Sequence, residues 1–283
     1  MSMPGKIIFI TGCSSGIGYD AVFALNKRGH RVIASCRKST DVNKLIAAGI
    51  ETLLMDVSDS SSITSACSEL FKLTSGRIDV LINNAGYGQA GALEDISRTV
   101  IRQQFETNVF GLLELTNLIV PVMRKQGSGR IINISSILGI ISMPMRGAYN
   151  ASKYAVEGLS DTLRLELQSS GIDVISIEPG PIDSRFRDNA VDLSLQHINQ
   201  NNSFFKKQYE VMLTSYKQNK ADSVFTKKPV AVINKLIHAI EAKRPKAKYP
   251  VTFPAYLFIF LKRILSTRLL DKIILKLSKK ELS

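Results

Sequence analysis

The strongest constraint on how this chain can fold is an alternation that runs from Lys6 to Glu178. Short apolar runs at Lys6–Thr11, Arg31–Cys36, Glu51–Met55, Ile78–Asn83, Arg130–Ser135 and Asp173–Glu178 are separated by segments of helix length. A strand can reach a parallel neighbour only through a crossover, so a βαβαβα order implies a parallel sheet with helices on both faces. The two longest helical patterns extend from about Ser97 to Lys125 and from about Tyr149 to Ser169. After Pro179 the alternation stops. A helix is expected from about Pro229 to Lys243, then an apolar run from Tyr249 to Phe253, then a final amphipathic stretch. No internal repeat or low-complexity segment divides the chain, which reads as one domain.

Its 283 residues are enough for one large α/β core, and 45% hydrophobic with 22% charged residues is the balance of a packed globular protein. The net charge of +13 is unevenly placed. Met1 to Ser203 carries 19 basic and 19 acidic residues, whereas Phe204 to Ser283 carries 18 basic and 5 acidic. A basic end suits phosphate or an anionic surface, and no nucleic-acid motif accompanies it, so no nucleic-acid partner is expected. Three cysteines without a Cys-x-x-Cys pair, and three scattered histidines, point to neither disulfides nor a metal site. The N-terminus runs at once into a strand pattern, and a cytoplasmic location is expected.

After the first run comes Thr11-Gly12-Cys13-Ser14-Ser15-Gly16-Ile17-Gly18, opening a helix. Glycines allow a tight turn and let backbone N–H groups approach a pyrophosphate at the positive end of that helix. Nineteen residues past Gly18, where a carboxylate would bind the ribose 2′-hydroxyl of NAD, the chain reads Ser35-Cys36-Arg37-Lys38. Two cations there suit a 2′-phosphate, so NADP(H) is expected over NAD(H).

Tyr149 and Lys153 are four residues apart, with Ser136 thirteen positions before the tyrosine. On a helix the i, i+4 spacing puts phenol and ammonium on one face, where the cation favours the phenolate. The pair recurs by chance in ordinary chains, so its surroundings decide its meaning.

These surroundings make the chain resemble a classical short-chain dehydrogenase/reductase over nearly its whole length. The matching residues are the Thr11–Gly18 turn, Asp56-Val57, Asn83-Asn84-Ala85-Gly86, Asn108, Ser136, Tyr149, Lys153 and Pro179-Gly180. The resemblance implies a doubly wound Rossmann fold with a parallel sheet of about seven strands and helices on both faces. It implies cofactor contacts at Gly12, Ser14, Ser15, Gly16, Ile17, Gly18, Arg37, Lys38, Asp56, Val57, Asn83, Ala85, Gly86, Pro179, Gly180, Ile182 and Ser184, besides Tyr149 and Lys153. Asp56 would contact the adenine, and Ile182 with Ser184 the nicotinamide amide, Ser184 standing where the family more often has threonine.

By the same resemblance Tyr149 supplies a proton to a carbonyl oxygen, Ser136 hydrogen-bonds that oxygen, and Lys153 lowers the tyrosine pKa and holds the ribose. Asn108 would anchor a water linking Lys153 to solvent. Ser135 also follows the fifth strand, but alternation lets only one of the two face the cleft, and the family spacing selects Ser136. No metal is implied. The family commonly forms homo-oligomers, dimers or tetramers, through its long helices.

The segment from Pro181 to about Phe225 corresponds to the family's substrate lid and carries Phe186, Phe204, Phe205, Tyr209, Val211, Met212 and Tyr216. These side chains either line an apolar pocket or pack the lid on the body. The expected reaction is NADP(H)-dependent hydride transfer to a hydrophobic ketone or aldehyde, steroid-, retinoid- or lipid-like. A 3-oxoacyl thioester or xenobiotic carbonyl is an alternative substrate, and a non-catalytic NADP(H)-binding sensor an alternative role. From about residue 254 onward, Leu257, Phe258, Leu261, Ile264, Leu265, Leu269, Ile273, Ile274 and Leu277 alternate with Lys262, Arg263, Arg268, Lys272, Lys276, Lys279 and Lys280. Such an amphipathic extension either makes peripheral contact with a membrane or covers the protein's own core or a subunit interface.

Overall fold

A computed structural model describes residues 5–217 and 225–282, with the side chains of residues 216, 217 and 280–282 outside that description. Tyr216, Lys280 and lid residues 218–224 therefore lie beyond the described side chains. Seven strands are formed: β1 (Ile7–Ile10), β2 (Arg31–Cys36), β3 (Glu51–Leu54), β4 (Val80–Asn83), β5 (Gly129–Ile134), β6 (Ile172–Glu178) and β7 (Lys248–Pro250). They pair in the order β3-β2-β1-β4-β5-β6-β7, parallel throughout. The order reverses between β1 and β4, which is where an open α/β sheet leaves a crevice at the C-terminal ends of its strands.

The helices are α1 (Gly16–Lys27), α2 (Ser39–Ala47), α3 (Ser60–Leu73), α4 (Arg98–Phe105), α5 (Gly111–Gln126), α6 (Gly147–Glu166), α7 (Phe186–His197), α8 (Lys206–Lys217), α9 (Val230–Glu241), α10 (Phe253–Ile264) and α11 (Thr267–Leu282). The apolar runs of the central strands are buried on both faces, as a parallel sheet demands, while the edge strand β3 buries only Leu53 fully. One cluster, with Ile8, Ile10, Val32 and Ile132, packs on α1 and α9 through Val22, Leu25, Leu236 and Ile240. The other, with Phe9, Ile33, Leu81 and Ile131, packs on α3 and α5 through Ile63, Leu70, Leu115 and Ile119.

Three elements differ from the periodicity. The long helix expected from Ser97 starts there, the Ser97 hydroxyl accepting a bond from Val100 N–H, but a π-turn at Glu106–Phe110 divides it into α4 and α5. Such a turn adds a residue to the helix and is common at functional sites; here it holds Asn108. The run Tyr249–Phe253 gives only a short strand, because Pro254 lies in the first turn of α10, where its fixed φ favours starting a helix. The amphipathic end is two helices rather than one, broken where Leu265 adopts an extended conformation. The segment expected to form a lid contains α7 and α8, which no strong periodicity announced.

Candidate active site

The glycine turn is fixed by the neighbouring strand end. Thr11 Oγ1 accepts bonds from the N–H groups of Asn84 (3.1 Å) and Ala85 (2.9 Å), and Asn84 Nδ2 donates to the carbonyls of Thr11 (2.8 Å) and Gly12 (3.0 Å). Gly12 has φ +71°, and a Cβ there would lie 2.7 Å from Ala85 Cα, so only glycine fits this approach. Helix α1 begins at Gly16 after Ser15, with no side-chain cap and no acid in its first turn. The leading amides, including those of Ile17 and Gly18, therefore have no side-chain acceptor, which is the arrangement an anion requires. Ser14 beside them is exposed.

Arg37 and Lys38 are exposed at the end of β2, and neither makes an ion pair among the described residues. Burial raises the pKa of Tyr87, and the charge of Arg37 draws it back, so the guanidinium reaches the same rim as the loop after β4. Asp56 uses Oδ1 to accept from Ser58 N (2.9 Å) and Ser58 Oγ (2.7 Å), and Val57 is buried beside it. Asn83 turns behind the cleft, donating to Thr116 Oγ1 (3.0 Å) and Asn133 Oδ1 (2.9 Å).

Ser136, Tyr149, Lys153 and Asn108 converge. Ser136 ends β5 and caps a short turn over Ile137–Gly139, its Oγ accepting from Leu138 N at 3.1 Å. Its own proton is aimed at Pro179 O at 3.5 Å, and its hydroxyl draws down the pKa of Tyr149, which lies in the first turn of α6. Ser135 faces away, its buried hydroxyl without a partner. Lys153 Nζ donates to Ile134 O (2.7 Å) and stands 5.8 Å from the centroid of the Tyr149 ring. A Cβ on Gly86 would fall 3.1 Å from Asn108 Oδ1 and 3.8 Å from Lys153 Nζ, so the β4 loop closes on both.

Two details depart from expectation. Burial dominates the electrostatics: it lifts the Tyr149 pKa to about 12 against the pull of the neighbouring Ser136 hydroxyl, and lowers that of Lys153 to about 8 against the charge of Glu157. The ammonium is drawn to the Ile134 carbonyl rather than to the phenol oxygen, so Lys153 does not depress the tyrosine here. The side chain of Asn108 is committed to protein: its amide donates to Tyr87 O (2.9 Å) and Ser152 Oγ (3.0 Å), and its Oδ1 accepts from Tyr87 N (3.0 Å). It clamps the β4 loop.

Pro179 and Gly180 follow β6, with Gly180 packed against Thr252. Ile182 bridges to Lys227, and Asp183 N–H donates to Lys227 O (2.9 Å). Ser184 faces the glycine turn, its Cβ 3.4 Å from where a Cβ on Gly16 would lie. Phe186 opens α7 with its ring 5.2 Å from that of Tyr149, close over Gly88, where a Cβ would lie 2.8 Å from the Phe186 ring. Elsewhere the lid packs on the body: Tyr209 is buried, donating to Asp95 Oδ2 (2.8 Å) and accepting from Ala92 N (2.9 Å), with Phe205 and Met212 in the same cluster. Phe204 is exposed.

The short chain dehydrogenase family model matches residues 6–193, which contain the glycine turn, Ser136, Tyr149 and Lys153. The chain belongs to that family. It is similar to the uncharacterized oxidoreductase YbbO of Escherichia coli (42% identity over 269 residues, 95% of this chain and 94% of the relative). An NADPH-dependent 3-dehydrocapnine reductase of Ornithobacterium rhinotracheale is 32% identical over 280 residues, 96% of each chain. A short-chain dehydrogenase crystal structure from Streptomyces avermitilis superposes with a TM-score of 0.74 at 28% identity, covering 99% of this chain and 98% of that one.

For this short-chain dehydrogenase, an oxidoreductase by family, residue patterns alone missed several contributors to the site. Thr11, Asn84, Tyr87, Gly88 and Ser152 hold the loop geometry; Thr11, Asn84 and Ser152 lie inside the motifs but with no role read for them, and Tyr87 and Gly88 lie outside. Glu178, beneath the site at the end of β6, is buried, with its pKa raised to about 7 by burial and then by the charge of Glu157. Glu157 Oε2 pairs with Lys248 (2.7 Å), which also reaches Asp161 (3.1 Å). Nothing in the local sequence marks these carboxylates as neighbours.

Proposed function

We propose that this protein is an NADP(H)-dependent reductase of hydrophobic ketones or aldehydes, reversible in principle, with Tyr149 as proton donor. The observation that carries the reading is the convergence of Ser136, Tyr149 and Lys153 on a cleft whose other side is the Gly12–Gly18 turn. The chain's residues fit a dinucleotide: the first-turn amides of α1 suit the pyrophosphate, and Arg37 with Lys38 suit a 2′-phosphate. Asp56 and Val57 would meet the adenine, Asn83, Ala85 and Gly86 back the ribose, and Pro179, Gly180, Ile182 and Ser184 the nicotinamide end. The NADPH dependence of the Ornithobacterium relative supports the cofactor choice.

Bound NADPH supplies the hydride, and the chain supplies the proton and the charge stabilisation. With its pKa lifted to about 12, Tyr149 is protonated at neutral pH and can give its proton to the carbonyl oxygen as negative charge builds there. Ser136 donates a second hydrogen bond to that oxygen. Lys153, charged below pH 8, would hold the ribose. Asn108 keeps the loop beside Lys153 in place. Phe186 lies over Tyr149 and gives the substrate an apolar wall, which favours steroid-, retinoid- or lipid-like carbonyls over polar sugars. Residues 181–225 serve as the substrate lid, and a homo-oligomer would use the α4–α5 surface, where Phe110 is exposed.

The test is an NADPH-consumption screen over steroids, retinaldehyde, long-chain keto lipids and simple carbonyls, run beside Tyr149→Phe. Turnover on an apolar carbonyl, lost in the variant while NADPH binding persists, supports the reading. Equal turnover by Tyr149→Phe refutes it.

A further inference from the structure

Helix α10 turns a continuous apolar stripe away from the protein. Phe253, Tyr256, Leu257, Phe260 and Ile264 recur at helical spacing, and from 37% to 60% of each is exposed. The opposite side of α10 is accounted for: Ala255 is buried, and Phe258, Ile259 and Leu261 pack with Ile137, Leu138 and Ile141 beside Tyr149. Lys262 lies on that inner side, donating to the Ile140 carbonyl and standing 4.9 Å from the Tyr154 ring. The stripe is thus not a core face, since α10 already has one.

Charge indicates what covers it. Arg263 borders the stripe in the last turn of α10, and the outward face of α11 carries Arg268, Lys272, Lys276 and Lys279, all exposed. Opposite them on α11, Leu270, Ile274 and Ser278 are buried. None of those four α11 cations makes an ion pair among the described residues, and Asp271 is the only acid in α10 or the described side chains of α11. A two-fold pairing of this surface with itself would bring the same cations and no matching acids among the described side chains. No helix among the described residues is long and apolar enough to cross a membrane. Aromatic and aliphatic side chains flanked by unpaired cations fit the interface of an anionic bilayer, where the apolar groups enter the acyl boundary and the cations meet lipid phosphate.

We infer that the outward stripe of α10, with the cations of α11, docks this protein on anionic phospholipid surfaces. Phe253 also stacks on Phe225 at the end of the lid segment, ring centroids 5.9 Å apart, so the docking helix touches the element that borders the site. The surface is independent of the reaction, and Ser136, Tyr149 and Lys153 take no part in it.

The experiment is co-sedimentation of the full chain with phosphatidylglycerol/phosphatidylcholine vesicles and with phosphatidylcholine alone, alongside light scattering for oligomer mass. Phe260→Glu/Ile264→Glu and Arg268→Glu/Lys272→Glu/Lys276→Glu are compared with wild type, their folding checked by NADPH binding. Wild type should sediment with anionic vesicles, and each variant should lose at least tenfold in partitioning with its oligomer mass unchanged. Three results would overturn the inference: no wild-type binding to anionic vesicles, undiminished binding by folded variants, or a drop in oligomer mass in Phe260→Glu/Ile264→Glu, which would assign the stripe to a second copy.

Discussion

The two sides of the site are built in different ways. The sheet side is held by short polar ties between buried groups: Thr11 to Asn84, Asn108 to Tyr87 and Ser152, and Lys153 to Ile134. The lid segment and C-terminal side rests mainly on apolar packing around Tyr209, Leu270 and Ile274, with fewer polar ties, at Tyr209 and Ser203 to Asp95 and at His197 to Gln89, and leaves Phe204, Phe253 and Phe260 in solvent. Directional bonds set atoms to within tenths of an ångström, as proton and hydride transfer require. Apolar contacts are non-directional and tolerate repacking, which suits a surface that admits differing substrates. Chemistry and specificity should therefore separate under mutation.

The sharpest test is Tyr149→Phe. It removes the proton donor proposed for the carbonyl oxygen, and a loss of about 10²–10⁴ in kcat is expected, with NADPH affinity, measured by fluorescence titration, unchanged. A loss confined to KM would put Tyr149 with the apolar side of the comparison instead.

Next in size is Glu178→Gln. Burial holds the Glu178 pKa near 7, above the ordinary glutamate range, so the native state retains a proton that the unfolded chain releases. Stability from this group is present below the ordinary range and is lost as pH rises toward 7. At about 1.4 kcal/mol per tenfold change in acidity, the ionised carboxylate costs up to about 3 kcal/mol at pH 8. Urea denaturation should find the glutamine variant more stable than wild type at pH 8, with the gap closed near pH 4. A constant gap across that range would mean the polar side does not owe its tension to this buried charge.

Arg37→Asp tests whether the cofactor end obeys the same directional logic. Losing a charge-assisted bond to a 2′-phosphate should weaken NADPH by roughly 10- to 100-fold in Kd, and NADH use should rise. Unchanged NADPH selectivity would mean that Arg37 is only a solvated rim residue.

How much of this was legible before the structure follows the same division. Periodicity found the first six strands because the central ones are buried on both faces, and a fully buried strand has no freedom to hide its pattern; the edge strand β3, with only Leu53 fully buried, was carried by its place in the alternation. Strand β7, of three residues, was blurred into Tyr249–Phe253 by Pro254, and α7 was hidden because few of its residues are buried. At the site, Ser136, Tyr149, Lys153 and the glycine turn are recognisable by residue type and spacing. The π-turn that aims Asn108 and the Glu157–Glu178 pair depend on contacts between residues far apart in the chain. The same is true of the Tyr149 pKa: spacing pointed to a lysine that lowers it, whereas the depth of burial, which spacing does not encode, raises it.

The smallest expected effect is at Phe186, where the two sides meet. Its ring lies 5.2 Å from that of Tyr149 and belongs to a helix that is tied to the body by His197 and Gln89 only at its far end. Being 37% exposed, it contributes only part of an aromatic burial to stability, so Phe186→Ala should fold normally. Removing the apolar wall should raise KM for an apolar carbonyl by a few-fold, about 1 kcal/mol of lost contact, while kcat stays within about a factor of two because Ser136 and Tyr149 keep their places on β5's end and α6. Steady-state kinetics on two substrates of different bulk decides the matter: a KM change that depends on bulk keeps Phe186 with the adaptable side. A fall in kcat equal for both substrates would mean that the ring helps to position Tyr149, and that the directional region extends into the lid.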